Sequence, residues 1–193
     1  MLCLVCLPHD HGMRFLPSPN YGERPDDSAI DLIVLHAISL PPGQFETEVV
    51  EAFFLGKLDT EEYPELMELK GVRVSAHFVV DRKGGITQFV PLSKRAWHAG
   101  ESSWQGLDDC NNYSIGIEVI GDEVQPFTSL QYRETARLCR VLMQHFPLIS
   151  RERIVGHQDV APGRKWDPGE QWSWERFDRS FSHIRKLNIE AEV

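Results

Sequence analysis

Apolar residues along the chain fall into two kinds of run. Ile30 to His36 is nearly continuous and ends in a histidine, the pattern of a strand buried on both faces. Val74 to Asp81 and Ile86 to Leu92 are further strand-like runs, and Lys83-Gly84-Gly85 between them reads as a hairpin connection. Ser114 to Ile120 alternates, with Ile115, Ile117 and Val119 on one face and Gly116, Glu118 and Ile120 on the other. Arg153 to His157 reads as a short strand. Elsewhere the spacing turns helical. Val49, Val50, Phe53 and Phe54 share one helix face, and Gly56 can end that helix. Thr128 with Gln131 forms a capping box for a helix carrying Leu138, Leu142 and Phe146, ended by Pro147. Ser173 caps a last helix with Trp174, Phe177, Phe181 and Ile184 on one face. Residues 1–28 read as irregular, Pro41-Pro42-Gly43 as a turn, and residues 57–71 and 93–113 as long loops. The order strand, helix, three strands, helix, strand, helix predicts an α/β fold: helices flank a mixed central β-sheet, whose antiparallel part comes from the hairpin.

Composition narrows the class without changing that picture. A length of 193 residues with 41% hydrophobic content supports one domain with a real core. The net charge of -9, with no basic stripe, argues against a nucleic-acid partner, although a local cationic pocket can still take an acidic ligand. Cys3, Cys6, Cys110 and Cys139 form no disulfide framework, and Cys3 and Cys6 make only an isolated C-x-x-C. No segment approaches the roughly 20 apolar residues of a membrane span. Met1 to Pro8 is apolar but short and lacks a preceding basic region, unlike a secretory signal. The expectation is a cytoplasmic protein that needs no membrane and shows no obligate protein partner.

Candidate chemistry lies in the histidines and carboxylates. His9, His11 and His183 sit near the termini, and His145 near a helix end, where it can face the dipole. His36 and His157 each close a strand, where α/β sheets place their sites. The Pro- and Gly-rich loop after His157 contains Asp167 and can return its carboxylate to the histidine at its own start. Two histidines and one carboxylate leave a fourth zinc position open, as catalytic sites require. Satisfied core histidines and a loop aspartate are the alternative. Glu118 sits inside a strand, where a carboxylate is costly to bury unpaired. Gly116 on its face leaves space for a cleft, the other reading being an exposed sheet face. Lys165, two residues before Asp167, reads on its own as a solvated loop lysine.

Five segments in register carry a resemblance. They are Val34-Leu35-His36 before Ile38-Ser39-Leu40-Pro41-Pro42-Gly43, Arg73-Val74-Ser75-Ala76-His77, Arg95-Ala96-Trp97-His98-Ala99-Gly100, Cys110 to Glu118, and His157 to Gly169. Together they resemble the type-2 N-acetylmuramoyl-L-alanine amidases, closest to the cytoplasmic branch that acts on 1,6-anhydro muropeptides. The resemblance covers about residues 17–180 of a single domain over 1–193, with 1–16 an irregular lead-in. It implies the sheet-and-helix fold shared by phage lysozyme-type amidases and peptidoglycan recognition proteins. It implies one zinc ion (Zn2+) held by His36, His157 and Asp167, with Glu118 and Lys165 as catalytic partners and a muropeptide as small-molecule substrate in cell-wall recycling. Trp97 can then stack on a sugar, His98 line the same groove, and Arg73 hold a peptide carboxylate by a two-pronged ion pair. Two positions depart from the family pattern: Ala37 stands where asparagine is usual, and Asp109 where an arginine meets the peptide carboxylates. Both alter the expected grip on substrate.

Two other readings compete. A non-catalytic peptidoglycan-recognition module shares the fold but generally lacks a complete triad. A cysteine hydrolase using Cys110 with His98 rests on closeness in sequence alone.

Overall fold

The computed structural model describes residues 13–183; Cys3, Cys6, His9, His11 and Ile184 lie outside them. Its centre is β3 (Leu32–Ile38), a seven-residue strand paired in parallel with β9 (Ser114–Ile120) on one side and β10 (Ile154–Gly156) on the other. Beyond β9 come β4 (Phe78–Val80), parallel to it, and β5 (Ile86–Gln88), antiparallel to β4. The edge is β1 (Arg14–Phe15), so the sheet order is β1-β5-β4-β9-β3-β10. The predicted hairpin is the β4–β5 turn. There Gly84 takes a φ of +82°, and the Asp81 carboxylate accepts from the Lys83 and Gly85 amides.

The two faces of the sheet are covered differently. Ile33, Leu35, Ile115, Ile117 and Val119 pack beneath α2 (Ser129–His145) and α4 (Trp174–His183). The Thr128–Gln131 capping box is formed in both directions, and the Ser173 hydroxyl accepts the Arg176 amide. The opposite face carries α1 (Thr47–Phe54), whose Val49, Val50, Phe53 and Phe54 are all buried. Leu32, Val34 and Val155, also on that face, lie beneath the connection that holds Ala99, Cys110 and Tyr113.

The segments read as irregular contain more structure than periodicity reveals. Besides β1, the stretch up to residue 28 supplies β2 (Tyr21–Glu23), which pairs with β6 (Lys94–Ala96). The 93–113 connection also holds the β7 (Ser103–Trp104)–β8 (Leu107–Asp108) ladder and a 3-10 turn at Cys110–Asn112. A second 3-10 turn spans Pro64–Leu69. Pairings of two or three residues carry too little alternation to stand out in a sequence. His157 is a further correction: the strand ends at Gly156, and His157 opens the one-turn helix α3 (His157–Val160).

Candidate active site

Register brings the first two groups together. His36 and Glu118 are direct partners across the parallel β3–β9 pair, so both side chains leave the same face at one level. The third and fourth come from the chain after β10. The Gln158 amide donates to the Asp167 carbonyl at 2.9 Å, folding the loop back onto its start. Asp167 and His157 therefore arrive beside His36, and all three are buried.

Three polar atoms converge there. His36 Nδ1 lies 2.9 Å from His157 Nδ1 and 3.1 Å from Asp167 Oδ2, and His157 Nδ1 lies 3.0 Å from that oxygen. On the far side of the His157 ring, Nε2 faces the Ala99 carbonyl at 3.0 Å. A carbonyl only accepts, so the ring proton sits on Nε2, and Nδ1 turns a lone pair toward the carboxylate. Close-packed acceptors of this kind repel unless a cation joins them. Two imidazole nitrogens and one carboxylate oxygen fit zinc in number and type, with room for a fourth ligand.

Electrostatics agree with that division of labour. Burial pushes the His36 imidazole down to about 4, so the ring is neutral at physiological pH, as ligation demands. Glu118 goes the other way: burial, then the nearby Asp167 charge, raise its carboxyl well above normal. Its Oε1 is 4.0 Å from His36 Nδ1, and its Oε2 is buried with no hydrogen-bond partner. The carboxyl thus faces the cluster with one oxygen left free of any hydrogen bond.

A cavity of about 320 Å³ opens onto these groups, lined also by Trp97, His98, Lys165 and Trp166. Phe53, Leu69, Val72 and Val74 form an apolar wall opposite. Lys165 is exposed, with its backbone tied to the Ala161 carbonyl. The exposed Arg73 lines the adjoining hollow, and its guanidinium lies 5.3 Å from the centre of the Trp97 ring. Ala37 lies on the cavity wall. Asp109 is engaged by Arg95 Nη2 at 2.7 and 2.8 Å, so its charge is locally offset.

Two expectations give way. The space beside Gly116 is not open: the His98 ring fills it, and a Cβ at Gly116 would lie 2.6 Å from His98 Nδ1. The Cys110–His98 pairing does not form. Cys110 Sγ meets the Tyr113 hydroxyl at 3.1 Å, burial raises its thiol, and both nitrogens of His98 are engaged elsewhere. Sequence reading missed a buried layer behind the site. Arg24 donates to the carbonyls of Leu92, Asn111, Asn112 and Ser114, and Asn111 Oδ1 accepts the amides of His98 and Ala99. The amino-acid pattern holds no signal for these bonds, because their acceptors are mostly backbone carbonyls.

Known proteins resemble this chain in sequence and fold. The family model for N-acetylmuramoyl-L-alanine amidase matches residues 26–170. The 1,6-anhydro-N-acetylmuramyl-L-alanine amidase AmpD of Haemophilus influenzae is 48% identical over 85% of this chain and 89% of its own. A crystal structure of a selenomethionine AmpD derivative superposes with a TM-score of 0.84 at 43% identity, covering 87% of this chain and 93% of that one. The amidase AmiD from Escherichia coli, solved with the substrate anhydro-N-acetylmuramic acid-L-Ala-D-gamma-Glu-L-Lys, gives a TM-score of 0.58 at 26% identity over 83% of this chain and 65% of its own. The chain belongs to the N-acetylmuramoyl-L-alanine amidase family.

Proposed function

We propose that the whole chain acts as one zinc-dependent domain in the cytoplasm. It hydrolyses the amide between (1,6-anhydro-)N-acetylmuramic acid and L-alanine in muropeptides, a step of cell-wall recycling. One observation carries the reading: a buried triad of acceptors, His36, His157 and Asp167, beside a Glu118 carboxyl with one oxygen unpartnered. The near-full-length similarity to AmpD supports the substrate, and the substrate complex of AmiD supports the muropeptide class. Among the described residues no helix is long and apolar enough to cross a membrane.

His36, His157 and Asp167 would hold the metal. When bound, zinc supplies Lewis acidity, drawing the pKa of water toward about 7 and polarising an amide carbonyl. Glu118 takes the proton from the attacking water as its oxygen adds to the carbonyl carbon. The same carboxyl then gives that proton to the departing amine of L-alanine as the C–N bond breaks. The ammonium of Lys165 offsets the oxyanion formed in between, and one such donor is worth roughly 3 kcal/mol. Trp97 offers its face to a sugar ring. Arg73, stacked on it, meets a peptide carboxylate, and His98 closes the cavity floor.

The test is metal analysis coupled to an amidase assay on an anhydro-N-acetylmuramyl-L-alanyl peptide. One zinc per chain is expected, with activity lost to a chelator and restored by zinc. Full activity in protein freed of metal would overturn the reading.

A further inference from the structure

Both nitrogens of His98 are used inside the protein. The single proton of the Ser114 hydroxyl goes to the Cys110 carbonyl at 2.6 Å. The Ser114 oxygen, 3.2 Å from His98 Nε2, must therefore accept from that nitrogen. A neutral imidazole carries one proton, so Nδ1 of His98 is an acceptor. It faces His36 Nε2 at 3.0 Å and accepts the hydrogen bond that this N–H donates. What remains on His36 is a lone pair at Nδ1, the atom turned toward His157 and Asp167.

The next residue does the same for the other ring. The Ala99 carbonyl accepts from His157 Nε2 at 3.0 Å and leaves that Nδ1 lone pair facing inward. The two-residue segment is held from behind: Asn111 Oδ1 takes the His98 and Ala99 amides at 3.0 and 2.8 Å, and Arg164 donates to the Ala99 carbonyl at 2.6 Å. The Gly116 backbone, bare of a side chain, leaves the volume the His98 ring occupies.

We propose that the His98–Ala99 dipeptide is the outer support of the metal site: His98, backed by Ser114, fixes the tautomer and orientation of His36, and the Ala99 carbonyl does so for His157. His98 and Ser114 are then positioning residues that act through the histidine ligands, rather than contacts for the sugar or peptide. The inference rests on the zinc reading above. Metal-ligating histidines commonly donate their second nitrogen to such a partner, and loss of the partner typically costs 10–100-fold in affinity.

The experiment is chelator competition for zinc on the full chain, with the Asp167→Ala variant alongside. His98→Phe should loosen zinc by about 10–100-fold. His98→Gln, which keeps an acceptor, should recover part of the loss. Ser114→Ala should loosen zinc several-fold while KM for a muropeptide at saturating zinc stays near the parent value. Should His98→Phe prove poorly folded, Ser114→Ala carries the test. Unchanged zinc affinity in both variants, or a KM rise in His98→Phe with zinc retained normally, overturns this inference alone. A parent protein that holds zinc no better than Asp167→Ala overturns the metal reading and this inference with it.

Discussion

Glu118 is buried, with one carboxylate oxygen unpaired, an arrangement that costs free energy unless a proton or a cation meets it. That cost fits the proton transfer proposed for it. Glu118→Gln should keep zinc, as measured by metal content, and lower kcat by at least about a hundredfold, the usual scale of general-base loss. Near-normal turnover would remove Glu118 from the mechanism. Asp167 plays the complementary part: it supplies the only anionic atom of the three. Asp167→Ala leaves two protein ligands, too few for a stable tetrahedral site, so both zinc and activity should disappear. Full zinc occupancy in that variant would mean another residue completes the triad. Lys165→Ala should spare zinc and reduce kcat, because an oxyanion partner acts in the transition state; an effect confined to KM would sink that role.

At the level of elements, the parallel pairing of β3 with β9 does the most for the site. It sets His36 opposite Glu118 and Leu32 opposite Ser114, so the proposed ligand, base and outer support share one face. Gly116, between them at the level of Val34, is the residue over which His98 lies. Gly116→Ala should push that ring away. Overpacking of this kind costs about 1–3 kcal/mol, so a lower denaturation midpoint should accompany weaker zinc binding. Parent-like values of both would mean that the ring is free to move elsewhere at no cost. The loop from α3 to Asp167 is the second device. Its return is held by the Gln158 amide on the Asp167 carbonyl, and α3 is capped by the Asp159 carboxylate on the Gly156 amide.

For the molecule as a whole, the buried layer behind the site makes stability depend on pH. His77 is fully buried, accepts the Gly116 amide and lies against Arg24. Burial, then the Arg24 charge, push its imidazole from 6.5 down to about 3. Between those values the unfolded chain binds a proton that the folded one refuses. The stability is thus fully present above about 6.5 and is lost as pH falls toward about 3. Denaturant titrations of the parent and His77→Gln at pH 7 and pH 5, at fixed zinc, should show a shallower loss in the variant. Identical losses would show that His77 is not a source of the acid sensitivity.

Much of this was legible in the chain. The period of apolar residues gives α1, α2, α4, β3 and β9, and the capping residues give the starts of α2 and α4, because both depend on neighbours a few positions away. The motifs around His36, Glu118, His157 and Asp167 point to the amidase family and to the candidate ligands. Tertiary structure alone decided the rest. His36 and His157 are 121 residues apart, and hydrophobic periodicity states which face of a strand is buried without saying which strand lies beside it. Only the observed register sets His36 against Glu118. The role proposed for His98 also depends on the tertiary structure: in sequence it is one histidine in a long loop, and what separates a substrate contact from a support is where its two nitrogens point. Their partners, His36 and Ser114, lie 62 and 16 residues away, and folding brings them into reach.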